Sequence, residues 1–204
     1  MKKFLIPVLS CVLFACHHGP SASDYVKEGN KGLTHKIPYR EALAQYDTAI
    51  ELNPDYVVAY ANRGRLKIKM HDFYGAQNDL LKALALDHKM TGVYYFLGYA
   101  KWQVADFDGS RLAYNKEIEY YPKNAQAYAD RGYVRQILQD QKGALQDFNQ
   151  AILIEPGSFA DVYLARGLLK TKMNDKNGGC LDLHRSFTLK PDSITRHYID
   201  INCR

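Results

Sequence analysis

Apolar and small residues recur at a fixed spacing along most of this chain. The segment 125–158, AQAYADRGYVRQILQDQKGALQDFNQAILIEPGS, has a pattern that predicts two short helices separated by a turn. Its fixed points are Tyr128, Gly132, Ala144, Phe148, Ala151 and Pro156. A step of 34 residues toward the N-terminus takes three of these points to Tyr94, Gly98 and Pro122, and another step takes two of them to Tyr60 and Gly64. The segment is therefore one copy of a repeated helical hairpin.

A period of 34 residues with this pattern resembles the tetratricopeptide repeat, a helix-turn-helix unit that stacks into a right-handed superhelix with a peptide-binding concave face. A glycine column supports the resemblance, because a Cβ there would hold the two helices of a repeat apart. This column contains Gly64, Gly98, Gly132 and Gly167. The resemblance implies an all-α, right-handed superhelical solenoid of about five repeats that ends in a capping helix. The predicted repeats are 23–56, 57–90, 91–124, 125–158 and 160–193, and the predicted capping helix is 194–204.

The N-terminal residues have a different character. Lys2 and Lys3 precede an apolar run, Phe4 to Phe14, that is too short to span a bilayer and is typical of a secretory signal. The sequence Leu13-Phe14-Ala15-Cys16 resembles a lipobox, in which the cysteine is acylated, for example with palmitate, and cleavage makes it the first residue. We therefore expect a signal peptide over 1–15 and a lipidated Cys16 with a flexible tether over 16–22. A plain signal peptide cut elsewhere is the alternative.

Charge and context narrow the partners and the location. Removal of Lys2 and Lys3 leaves 25 basic and 22 acidic side chains, and a net charge of +3 is too weak and dispersed to indicate nucleic-acid binding. The adjacent His17 and His18 are interpreted as solvated linker, so no metal site is expected. Because His17 rather than aspartate follows Cys16, resemblance to the sorting rule of some Gram-negative lipoproteins favours the outer membrane, facing the periplasm.

Two charged columns accompany the glycine column. Arginine recurs in the first helix of three repeats and aspartate in the second helix of the same repeats, as Arg63 with Asp79, Arg131 with Asp147, and Arg166 with Asp182. In the third repeat both change, to Leu97 and Ala113. This joint loss predicts that each arginine forms a structural ion pair with the aspartate of its own repeat. A second basic column, Lys67, Lys101, Arg135 and Lys170, is interpreted as a solvated face.

The third repeat departs from the pattern in a second way. Ser110 and Glu117 stand where the other repeats have small alanines, so we expect looser packing there. A further column of aspartates precedes the second helices, where a carboxylate can accept hydrogen bonds from free backbone N–H groups. These predicted caps are Asp72, Asp106, Asp140 and Asp175.

Apart from the lipidated Cys16, two cysteines remain after processing, in a chain sent to an oxidising compartment. Cys180 lies near the start of the last repeat's second helix and Cys203 near the end of the final helix, so antiparallel packing of these helices brings the two together. The ending also resembles that of a group of bacterial repeat lipoproteins with a cysteine at each of these places. We expect a disulfide, and two free buried thiols are the alternative.

No motif in the chain indicates catalysis or a cofactor. HExxH, GxSxG, CxxC, the Walker loop and the dinucleotide glycine fingerprint are all absent from the sequence. The seven histidines are scattered and do not form a catalytic or metal-binding arrangement. The sequence therefore predicts a protein without enzymatic activity, whose function depends on its surfaces.

Aromatic side chains mark the candidate binding surface. Tyr95, Tyr99 and Trp102 fall at i, i+4 and i+7 of one helix, and resemblance to the family places them in the concave groove, where Tyr133 shares the column of Tyr99. Polar side chains near them are Asn62, Arg65, Asp130 and Gln136. Such rings beside hydrogen-bonding groups suit an extended peptide or a partner helix. The alternative is that the rings only fill gaps between repeats.

The carboxylate clamp of chaperone-binding tetratricopeptide proteins provides a sharper comparison. Asn30 and Asn62 match its two asparagines, but its three cations are replaced by Val26, Gly92 and Phe96. The clamp is absent. The sequence thus predicts a lipid-anchored envelope scaffold or adaptor that binds a protein or peptide partner. The alternative is a binder of glycan or another small envelope ligand at the same aromatics, and the oligomeric state stays open.

Overall fold

The computed structural model describes residues 19–203, which form eleven α-helices and contain no β-strand. The helices are α1 (Ala22–Leu33), α2 (Tyr39–Leu52), α3 (Val57–Lys69), α4 (Phe73–Leu86), α5 (Val93–Gln103), α6 (Phe107–Tyr120), α7 (Ala125–Ile137), α8 (Gln141–Ile154), α9 (Ala160–Lys172), α10 (Lys176–Leu189) and α11 (Ser193–Asn202). Each odd-numbered helix from α1 to α9 packs against the helix that follows it. The predicted all-helical hairpin solenoid is therefore confirmed.

Aspartate caps define where the second helix of four repeats begins. The side chains of Asp72, Asp106, Asp140 and Asp175 each accept a 2.9 Å hydrogen bond from the backbone N–H three residues later. That residue is a glycine every time. At Gly109, for example, an added Cβ would lie 2.2 Å from the capping carboxylate, so a larger residue would require that carboxylate to shift.

The glycine column sets the distance between the helices of a repeat. A Cβ added to Gly98 would lie 2.8 Å from the ring of Tyr114, and one added to Gly132 would lie 2.6 Å from the ring of Phe148. Both rings are fully buried. The missing side chain thus lets a large aromatic residue of the second helix pack directly against the backbone of the first, which is how each hairpin builds its core.

Ser110 and Glu117 do not open gaps at their own positions in the third repeat. Ser110 and Glu117 are both buried, and the Glu117 side chain is 1% exposed. Its carboxylate accepts hydrogen bonds from Asn124 Nδ2 at 2.8 Å and from the backbone N–H of Tyr95 at 3.2 Å. Burial raises the pKa of Glu117. This carboxylate joins α6 to the first turn of α5 and to the start of α7, so it fills the alanine position rather than opening it.

The two ends of the chain differ in what the structure describes. At the C-terminal end, α11 packs against α10, and a disulfide joins Cys180 to Cys203 with their Cα atoms 5.5 Å apart. The predicted signal peptide and the lipidation site Cys16 lie outside the described residues. None of the helices within 19–203 combines the length and the apolar character that a membrane-spanning segment needs.

Candidate peptide-binding groove

Buried ion clusters hold three of the hairpins together. In the fourth repeat the Asp147 carboxylate accepts hydrogen bonds from Arg131 Nε at 2.9 Å and Nη2 at 2.6 Å, and Arg135 Nη1 lies 3.0 Å from it. The second and fifth repeats have the same arrangement, as Arg63 and Lys67 on Asp79 and as Arg166 and Lys170 on Asp182. Each predicted arginine therefore lies on the aspartate of its own repeat.

The second basic column is not a solvated face, so that interpretation of the sequence is wrong. Lys67, Arg135 and Lys170 supply the second cation to each buried aspartate. Lys101 belongs to the repeat that has alanine at this aspartate position, and its Nζ lies instead 2.6 Å from the capping carboxylate of Asp106. The column is regular because the carboxylates it neutralises are regular.

The first helices of successive repeats form one continuous surface, because α3 contacts both α1 and α5, and α5 contacts α7. A cavity of about 380 Å³ opens between α3 and α5. Its lining residues are Arg65, Ile68, Lys69, His71, Tyr95, Phe96 and Tyr99. The structure thus brings together three of the predicted groove residues, Arg65, Tyr95 and Tyr99.

Arg65 and Lys69 give this cavity its positive charge, and Arg65 is fixed by contacts with its neighbours. Its guanidinium lies 4.7 Å from the centroid of the Phe96 ring, and Nη1 is 3.5 Å from Asn62 Oδ1. Within residues 19–203, no carboxylate lies at ion-pair distance from Arg65, and no acidic side chain lines the cavity. A guanidinium held against an aromatic face, with no carboxylate of its own, is suited to receive an anionic group.

The remaining predicted rings continue the surface along α5 and α7. Trp102 and Tyr133 lie with their ring centroids 6.3 Å apart, and Tyr133 packs at 5.1 Å against the buried Phe148. Burial raises the pKa of the Tyr95 and Tyr133 hydroxyls. Each of these rings is half-buried. They fill gaps between hairpins on one side and keep part of their surface in solvent on the other.

Asp130 and Asn62 do not present free polar groups to a ligand. Asp130 is 8% exposed and accepts a 2.9 Å hydrogen bond from Gln126, and burial raises its pKa to about 6. Asn62 donates at 2.9 Å to Asn30 Oδ1. Both side chains therefore make hydrogen bonds within the solenoid, and a direct contact of either with a ligand stays a prediction.

Gln136 is separated from the other predicted groove residues. It lines a different cavity of about 160 Å³ with Gln139, Gln141, Leu168, Leu169 and Lys172. In contrast, Ile68, Lys69 and His71 line the larger cavity, although the sequence pattern did not single them out for the groove. The one feature of the sequence that could have identified them is their position at or just after the end of α3, one to two helical turns beyond Arg65.

Comparisons with known proteins agree with this geometry. No family model matches the chain. Human "Tetratricopeptide repeat protein 12" is 29% identical over 135 residues, which are 66% of this chain and 19% of that protein. "Small glutamine-rich tetratricopeptide repeat-containing protein 2" of Mycosarcoma maydis is 34% identical over 113 residues, covering 52% of this chain and 31% of that protein. The chain thus spans less than a third of the length of these relatives.

Solved structures decide the fold. The crystal structure of YrrB, described as "a TPR protein with an unusual peptide-binding site", superimposes with a TM-score of 0.74 at 20% identity, covering 88% of this chain and 92% of that one. The chain has the tetratricopeptide-repeat fold. Within this tetratricopeptide solenoid, residues 19–203 contain no cluster of three or more histidine, cysteine, aspartate or glutamate side chains that could hold a metal ion.

Proposed function

We propose that this tetratricopeptide protein is a non-enzymatic scaffold that binds an extended segment of a protein partner along α3, α5 and α7. The cavity between Arg65 and the rings of Tyr95 and Tyr99 carries the proposal. Its walls are aromatic and aliphatic, its tyrosines offer hydroxyl tips, and its guanidinium is held in place by Phe96. A segment with an apolar side chain next to a carboxylate matches these features.

We further propose that the scaffold is anchored to the outer membrane through Cys16 and faces the periplasm. The support is the sequence alone: two lysines, an apolar run of signal-peptide length, and alanine directly before Cys16. In a Gram-negative host, the full chain should fractionate with membranes, and a Cys16→Ser variant should appear in the soluble periplasmic fraction. Equal membrane retention of both forms contradicts the anchor without touching the binding proposal.

The groove is tested by affinity isolation from detergent-solubilised envelopes with the full chain as bait. An Arg65→Ala/Tyr99→Ala variant removes the guanidinium and one ring, and should lose a protein that the wild type retains. The matched control is Arg40→Ala/Tyr74→Ala, which removes the same two side-chain types from exposed positions on α2 and α4. The control should retain the partner.

Two outcomes of this isolation would redirect the proposal. Unchanged protein recovery by the groove variant refutes binding at this cavity. If the groove variant loses retention on purified cell-wall material while protein recovery stays the same, the rings serve as stacking platforms for glycan, which is the alternative function.

A further inference from the structure

The arginine of each ion cluster also contacts the preceding repeat. Arg63 Nη1 lies 2.6 Å from Asp47 Oδ1, Arg131 Nη1 lies 2.8 Å from Asn115 Oδ1, and Arg166 Nη1 lies 2.8 Å from Asn149 Oδ1. The acceptors Asp47, Asn115 and Asn149 belong to one column of the 34-residue repeat, and the member of this column in the second repeat, which precedes the third, is Leu81. Besides its second cation, each complete cluster therefore combines three polar columns: the arginine, the buried aspartate and the acceptor of the preceding repeat.

All three polar groups are lost at one place. Around the third repeat the arginine is Leu97, the buried aspartate is Ala113 and the acceptor of the preceding repeat is Leu81. Leu97 and Ala113 are buried in the same core cluster. Leu81 on α4 is 51% exposed, and Leu112, which precedes Ala113 on α6, is 58% exposed. One junction of the solenoid thus carries an apolar surface where the others carry ions.

This substitution leaves a depression. In the three complete repeats the arginine lies across a tyrosine, with Cζ 5.4–5.6 Å from the ring centroids of Tyr60, Tyr128 and Tyr163. The equivalent ring in the third repeat is Tyr94, and Leu97 is shorter than arginine. A cavity of about 230 Å³ results, which we name the third-repeat notch. It is lined by Tyr94, Leu97, Leu112 and Ala113 and bordered by Lys101 and Lys116.

The other repeats show the shape that the notch accepts, which is a single long side chain that reaches inward over the tyrosine ring. The residues that line the notch show the chemistry that it accepts. A guanidinium is excluded, because Ala113 and Leu81 cannot accept its hydrogen bonds and its burial without them is unfavourable. An aliphatic side chain of leucine or methionine size meets Tyr94, Leu97, Leu112 and Ala113, and gains from leaving water.

We infer that the third-repeat notch is a second docking site, which takes one aliphatic side chain from an apolar segment of a partner protein, with Leu112 as a flanking contact. The site lies on the side of α5 that faces α6, away from the cavity that α5 forms with α3. It is therefore independent of the peptide groove and of the function proposed for it. A scaffold with both sites can hold two partners at once.

The ion clusters of the other repeats provide the design of a control variant in which the notch is filled. A Leu97→Arg/Ala113→Asp/Leu81→Asn variant writes the ion cluster of the fourth repeat into the third, so it should keep the helical circular dichroism and cooperative unfolding of the wild type while closing the notch. The first probe is N-acetyl-L-leucinamide, titrated while the methyl signals of Leu97, Leu112 and Ala113 are followed by NMR. N-acetyl-L-glutaminamide is the polar control.

We expect the leucine probe to cause shifts that saturate. The affinity should be about tenfold or more weaker for the filled variant, and also for the glutamine probe on the wild type. In the filled variant, which lacks the Leu97 and Ala113 methyls, Leu112 is the reporter. Shifts that do not saturate, or equal binding by the filled variant, overturn the apolar chemistry assigned to the notch.

Photocrosslinking then identifies the occupant. The full chain carries p-benzoylphenylalanine in place of Leu112 or, as the matched control 34 residues later, in place of the exposed Gln146. We expect a crosslinked partner at position 112 only, lost on filling the notch and retained in the Arg65→Ala/Tyr99→Ala variant. A product of twice the chain mass shows that the occupant is a second copy of this chain. A crosslink that survives filling of the notch, or that never exceeds the level at position 146, shows that nothing docks in the notch. Either result overturns the proposal that a separate partner protein binds there.

Discussion

The ion cluster of the fourth repeat makes a quantitative prediction about what its charges contribute. Asp147 is 3% exposed and receives two hydrogen bonds from Arg131 and a third contact from Arg135, whose side chains are 13% and 20% exposed. Asp147→Ala leaves the largely buried Arg131 guanidinium without its carboxylate, while Arg135 still has Asp140 within 3.5 Å. Because solvent still reaches the arginines, we expect the lower end of the range for a broken buried pair, about 3 kcal/mol of unfolding free energy.

The third repeat shows how the same position can be built without ions. An Arg131→Leu/Asp147→Ala variant copies Leu97 and Ala113, and Arg135 can turn to Asp140, whose carboxylate is already 3.5 Å away, as Lys101 does to Asp106. No buried charge is then left unpaired. We expect the double variant to cost about 1 kcal/mol, less than Asp147→Ala alone.

The measurement is a double-mutant cycle by urea unfolding, followed by far-ultraviolet circular dichroism. With about 2 kcal/mol expected for Arg131→Leu alone, the coupling energy should be about 4 kcal/mol. The exposed pair Lys116 and Glu119 provides a control cycle, for which coupling should be below about 1 kcal/mol. If the two single effects at Arg131 and Asp147 simply add, the reasoning that unpaired burial sets the cost is refuted.

Three further perturbations follow from single contacts. Burial holds the pKa of Asp130 at about 6 in the folded state against 3.8 ordinarily, so the folded state binds this proton more tightly and loses stability as pH rises through 6. Asp130→Asn should therefore gain roughly 1–3 kcal/mol at pH 8 and nothing at pH 4 in urea titrations, and a pH-independent gain would contradict the burial argument. Replacing Cys180 and Cys203 by alanine should lower unfolding stability by about 3 kcal/mol, since their bond closes a loop across 23 residues, and hydrogen exchange should show faster opening confined to α10 and α11. Gly98→Ala, whose Cβ would lie 2.8 Å from Tyr114, should lower the free energy of unfolding by about 1–3 kcal/mol. The control Gly157→Ala, with no atom within 4 Å of its Cβ, should change it by less than about 0.5 kcal/mol. Equal effects would show that the glycine column does not set the helix spacing.

The repeating features of this protein could be predicted from its amino-acid sequence. The 34-residue columns predicted hairpins, because each position recurs in the same local environment, and the aspartates before the second helices predicted caps, because a cap depends on residues only three positions apart. The joint change to Leu97 and Ala113 pointed to contacts between the arginine and aspartate columns. Each of these inferences concerns one repeat and needs no knowledge of how the repeats stack.

Which polar groups are buried, and where cavities lie between the helices, depends on how the repeats stack. Helical spacing placed Asp130 on the groove side of α7, but the packing of neighbouring helices buries it and raises its pKa. The same stacking converts the second basic column into ion-cluster members and makes Glu117 a bridge between α5 and α7. The Arg65 cavity and the third-repeat notch also arise between helices. Periodicity identifies the face of a helix, whereas burial depends on what a neighbouring helix places against that face.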